Sequence, residues 1–172
     1  IDVIARKLVE KLLVFFVDSN KPAPKITIIE EDKSDMVVLN DYIGPESDII
    51  SIGEKPVEVV SHKTGEVFNF SVQVYKIYYS PITSRISLTA NKREVTDTPI
   101  HQYIPEFKET LFEVTSGKQK NYTVKAYVLG KFLDDSVPVE RDGFKINPER
   151  LGKEEGEIIA DVSETEIEKA AA

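Results

Sequence analysis

The sequence predicts an α/β (α+β) fold preceded by an amphipathic helix. Three patterns lead to that class. Between Val67 and Tyr79, Phe68, Phe70, Val72 and Val74 alternate with Asn69, Ser71 and Gln73, the period-two signature of a strand with one buried face. Over Ile1–Phe16, Ile4, Leu8, Leu12 and Phe15 recur at spacings of four, four and three, which is one stripe on a helix of about four turns. Near the end, Ser163 is followed by Glu166, a capping box that opens a further helix.

The elements follow in order. The first helix has two readings, docking on this chain's own sheet or on a neighbouring domain, and Asp18–Pro24 ends it with turn formers and two prolines. Lys25–Glu30 is a short β-branched run read as a strand, Met36–Leu39 is another apolar run, and Asn40–Lys55 is expected to be an irregular loop. Val57–Val60, a turn at Lys63–Glu66 and Val67–Tyr79 form a hairpin. In its second arm the alternation changes phase, because Tyr75 and Ile77 are apolar around polar Lys76. That predicts a bulge near Tyr75.

Arg85–Ala90 is a strand with Ile86, Leu88 and Ala90 inward, Asn91-Lys92-Arg93 is a turn, and Glu94-Val95 is extended. Thr98–Ile104 is expected to give two helical turns with Thr98 as cap and Pro99 in first position. Leu111–Thr115 and Tyr122–Leu129 flank a turn at 116–121 and form another hairpin.

Composition narrows the chemistry. The 172 residues suit one domain with appendages, and a domain of this size buries about 70% of its unfolded surface. There are 22 basic and 30 acidic residues, a net charge of −8, which argues against phosphate-backbone binding and so against nucleic acid. With no cysteine, thiol nucleophiles, disulfides and cysteine-held metals are excluded; a reducing compartment is compatible, and a cytoplasmic location is expected. No apolar run approaches the ~20 residues that span a bilayer. The chain opens without Met, in mid-helix, and is expected to be a piece of a longer protein. Its expected parts are a leading helix and linker (1–24), the α/β domain (25–150), and a charged linker with the start of a truncated helix (151–172).

The densest chemistry lies in the loop Leu133–Phe144, with Asp134, Asp135, Glu140, Arg141 and Asp142 beside Pro138 and Gly143. Such a loop is either a solvated connection or a place where a scaffold sets working side chains. Its carboxylate spacing does not fit a calcium loop. His62 and His101 have no second histidine or carboxylate at zinc-ligand spacing, so no metal site is expected. Two sequons, at Asn69 and Asn121, matter only in a secreted protein.

Two stretches together carry a resemblance. Leu88-Thr89-Ala90-Asn91-Lys92-Arg93-Glu94-Val95 is similar to the strand–Asn-Gly-Arg-x-Val turn of MutL-type transducers, with Lys92 in place of the glycine and Asn91 expected to take the left-handed conformation. Tyr127–Phe144 resembles the later loop, with Arg141 four residues after Val137 and three before Phe144. By these motifs the chain resembles, from about Ile1 to Pro148, the transducer (second) domain of a prokaryotic ATPase of the GHKL superfamily, which includes gyrase B, MutL and the ninety-kilodalton heat-shock chaperones.

The resemblance implies a transducer-like fold, a two-layer sandwich whose mixed sheet carries helices mainly on one face, and a function coupling ATP binding and hydrolysis in a preceding domain to conformational change. It implies Arg141 as the cation that reaches the γ-phosphate. The Glu and Asn helix, the Asp-x-Gly-x-Gly turn and the Gly-rich lid of the ATP-binding half do not occur in this sequence. No cofactor is therefore expected on this chain, while ATP and Mg are implied for the parent protein. The implied partners are the N-terminal ATPase domain of the same chain and, in the parent, a second copy as homodimer. The alternative is a non-catalytic β-rich binding or spacer module with no nucleotide role.

Overall fold

The computed structural model describes residues 1–16, 23–31, 35–79, 83–115, 117–138, 143–146 and 162–172. Helix α1 (Asp2–Phe16) is followed by β1 (Thr27–Ile29) and β2 (Met36–Val38), which pair antiparallel as a separate two-stranded sheet. After a 3-10 turn at Leu39–Tyr42 come β3 (Ile49–Val60), β4 (Val67–Ile77), β5 (Arg85–Ala90), β6 (Arg93–Glu94), β7 (Thr98–Pro99), β8 (Leu111–Thr115) and β9 (Lys118–Leu129). These strands form one seven-stranded sheet in the order β3-β4-β9-β5-β6, with β7 beside β5 and β8 beside β9. The β5–β9 pair is parallel and the other pairs are antiparallel. Helices α2 (Lys131–Ser136) and α3 (Glu164–Ala171) complete the described fold. It is an α+β fold with a mixed sheet and a leading helix, the class read from the sequence.

Both faces of the sheet are covered. On one, Phe70 and Val72 of β4, Ile86, Leu88 and Ala90 of β5, and Val124, Ala126 and Val128 of β9 pack with Leu133 of α2 and Ile167 of α3. On the other, Tyr75 and Ile77 of β4, Ile49 of β3 and Tyr127 of β9 pack with Ala5, Val9, Leu13 and Val14 of α1 and with Leu39. Two of the three α-helices among the described residues thus share a face, and α1 with the β1–β2 pair covers the other.

The expected bulge near Tyr75 is present, but the extra residue sits on the partner strand rather than in β4. β4 keeps an unbroken register against β9 from Ser71↔Leu129 to Ile77↔Thr123; its apparent change of phase is simply burial on both faces. The irregularity lies across from it in β3, between Ser51 and Gly53, so that Ile52 is the extra residue. β3 also begins at Ile49, inside the stretch expected to be a loop.

The helix stripe is reversed. Ile4 is 60% exposed and Leu8, Leu12 and Phe15 also face solvent, whereas Ala5, Val9, Leu13 and Val14 are buried. A face built largely of small side chains lets the helix sit close to the two tyrosines of the sheet, and the larger stripe points away. Thr98–Ile104 is not a two-turn helix. Thr98 and Pro99 pair with β5 as β7, and only a 3-10 turn follows at Ile100–Gln102. The Thr98 hydroxyl does not cap it but donates to Glu168 at 2.7 Å. The β8–β9 hairpin is as expected but tighter, since β9 begins at Lys118. The capping box forms as read: Ser163 Oγ accepts from the Glu166 N–H at 3.3 Å, and the Glu166 carboxylate accepts from the Ser163 N–H at 2.8 Å.

Candidate functional site

Two parallel strands send their carboxyl ends to the same edge of a sheet, and that edge is where open α/β sheets gather working loops. Here β5 and β9 run in register from Arg85↔Lys125 to Leu88↔Val128. β5 then enters the turn Asn91-Lys92, and β9 passes through Gly130 into α2. Asn91 and Lys92 both have positive φ, 49° and 64°. Asn91 takes the expected left-handed conformation, and Lys92 takes it too, in the place of the glycine.

The stretch expected to be one loop begins as a helix, because α2 runs to Ser136. Asp134 reaches across, and its Oδ1 accepts the Asn91 N–H at 2.7 Å. The Ser136 hydroxyl donates to the Phe132 carbonyl at 2.6 Å, and the Lys145 N–H donates to the Ser136 carbonyl at 2.9 Å. Leu133, Phe144 and Ile146 are buried, so the core grips the segment on both sides. Arg141, with Glu140 and Asp142, lies outside the described residues.

On the α1 side of the same strands is an ionic cluster that the sequence reading missed. Lys125 is 6% exposed, and its Nζ sits 2.8 Å from Asp97 and 3.3 Å from Glu94. Arg85 approaches the Asp97 carboxylate at 3.3 Å and donates to the Asp97 carbonyl at 2.7 Å. The buried Ser87 hydroxyl lies 3.3 Å from Asp97 Oδ1. The Tyr127 hydroxyl lies 3.0 Å from Glu94 and 3.2 Å from the Glu10 carbonyl in α1, and Lys11 approaches Glu94 at 3.7 Å. Burial lifts the Tyr127 pKa well above the phenolic value, and Glu94 adds to the shift. The phenol therefore stays protonated as a hydrogen-bond donor. Burial also raises the Glu10 carboxyl, with Lys125 opposing. Polar residues at alternate positions of β5 (Arg85, Ser87, Thr89), and a lysine inside the run Val124–Leu129, were the available signals.

A third group ties α3 to the sheet. Glu168 is 5% exposed and accepts from the Thr98 and Tyr103 hydroxyls, each at 2.7 Å, and from Thr96 at 3.4 Å. Burial and this carboxylate push the Tyr103 pKa up. His62 is exposed and stands 3.5 Å from Glu166 at the start of α3. His101 belongs to the 3-10 turn, and its buried Nδ1 has no hydrogen-bond partner among the described residues.

The carboxylates of these clusters are already engaged by Lys, Arg or hydroxyl donors, an arrangement that fixes elements against one another. Among the described residues, no three His, Asp or Glu side chains are grouped to hold a metal ion, and no helix is long and apolar enough to cross a membrane. Compared with protein-family models, with curated proteins and with solved structures, the chain matches none.

Proposed function

We propose that this chain acts as a transducer domain of a GHKL-type ATPase, coupling ATP binding and hydrolysis in a preceding domain to a movement of its own loop and helices. The reading is carried by one observation. The two stretches that resemble the family, far apart in the sequence, meet at the carboxyl ends of parallel strands, where Asn91 and Asp134 are hydrogen-bonded at 2.7 Å. The outward stripe of α1, with Ile4, Leu8, Leu12 and Phe15, adds support as a surface for the neighbouring domain.

In this reading ATP and Mg²⁺ are bound by that neighbouring domain. Arg141 reaches the γ-phosphate on closure and stabilises the charge that develops there, a contact class worth roughly 10³–10⁵ in rate. Turnover by the complete polypeptide tests it. Arg141→Ala should lower kcat far more than nucleotide affinity, because the contact forms on closure. Unchanged turnover in that variant rejects the Arg141 role, and a complete polypeptide that neither binds nor hydrolyses Mg-ATP rejects the whole reading.

A further inference from the structure

The β5–β6 hairpin makes polar contacts toward both helical layers within one short turn. On the α1 side, Glu94 of β6 meets the Tyr127 hydroxyl, Lys125 and Lys11 at 3.0, 3.3 and 3.7 Å. On the α2 side, Asn91 in the turn donates its N–H to Asp134 at 2.7 Å. The two contact points are three residues apart, so the chain between them spans at most ~10 Å. That span is short of slack, because its Arg93 and Glu94 pair with Ala90 and Thr89 of β5 and it includes the two left-handed residues of the turn.

We propose that this hairpin is a conformational coupler, which transmits a shift of α1 across the sheet edge to α2. The ionic seam ties Glu94 to β9. Lys125 is buried and Glu94 nearly so, whereas Asp97 is 39% exposed, and separating a buried charge from its partner is strongly unfavourable. Glu94 therefore follows Lys125 and Tyr127 rather than stretching away from them. The Tyr127 hydroxyl also lies against the α1 backbone at Glu10, so α1 and β6 share one anchor. The coupling stands whether or not the chain meets a nucleotide.

Amide hydrogen exchange on the 172-residue chain tests it in both directions. Tyr127→Phe removes the hydroxyl shared by Glu94 and α1 and leaves Asn91 and Asp134 untouched. It should speed exchange of the Asn91 amide at least threefold. Asp134→Ala should speed exchange in the last two turns of α1 by a similar factor, and Asp134→Asn, which keeps an acceptor, should restore most of the protection. If Tyr127→Phe unfolds the chain, Lys11→Gln at the exposed end of the seam gives a milder cut with the same expected direction. Effects confined to the mutated layer overturn the coupling. So does an even rise at every amide, such as the core control Val59→Ala would give.

Discussion

At the scale of single residues, Glu10 and Glu166 predict opposite pH signatures. Burial raises the Glu10 pKa, so the folded chain holds that proton more tightly than the unfolded one. The resulting penalty is absent below the unfolded pKa and reaches its full size above the folded one. Glu10→Gln should therefore raise the melting temperature at pH 7 and change it little in acid. A lower melting temperature at pH 7 would mean that attraction to Lys125 outweighs burial. Glu166 is the reverse case. Its bonds to the Ser163 backbone and hydroxyl hold its pKa below the usual range, so its contribution is present above the unfolded pKa and lost as pH falls through the folded one. Ser163→Ala should cost about 0.5–2 kcal/mol, as cap removals do, with the loss read locally as faster exchange in α3.

At the scale of elements, β4 and its neighbours show what alternation can and cannot reveal. Phe68, Phe70, Val72 and Val74 were legible as one inward row because β-strand geometry fixes the parity. Phe70→Ala should cost about 3–5 kcal/mol, while Ser71→Ala, on the face where its hydroxyl meets Glu54, should cost little in urea melts. Gly130 offers a sharper test. A Cβ there would lie 2.7 Å from the Phe70 ring and 3.1 Å from the Asn69 carbonyl. Gly130→Ala should cost about 1–3 kcal/mol as an overpacking change, and a neutral result would mean that β4 and the start of α2 sit further apart. The inward face of α1 was not legible. Its periodicity reports where the large side chains lie, but the sheet selected the row of Ala5, Val9 and Leu13. Lys125 was hidden for a related reason: a charge inside an apolar run reads as an interruption until Glu94 and Asp97 fold back over it. Asp134 looked like loop charge because its partner is a backbone N–H, which carries no side-chain signal.

At the scale of the whole molecule, two cores on opposite faces place conflicting demands on one strand. β3 must turn Ile49 toward α1 and turn Val57 and Val59 toward α2 and α3. All three are odd-numbered, and an unbroken strand would send them to the same face. The extra residue at Ile52, between the pairs Ser51↔Tyr75 and Gly53↔Val74, supplies the change of parity. Ile52 itself is 53% exposed, so its side chain is not what matters. Ile52→Ala should cost under about 1 kcal/mol, since little apolar area is lost. Deleting Ile52 should be far worse, because restored alternation must expose either Ile49 or the pair Val57 and Val59. Losing the burial of even one large aliphatic side chain costs about 2–5 kcal/mol. Paired urea melts of the substitution and the deletion measure the difference directly. If the deletion were as mild as the substitution, β3 could re-register against β4 without penalty. The two faces of the sheet would then not be held by one strand.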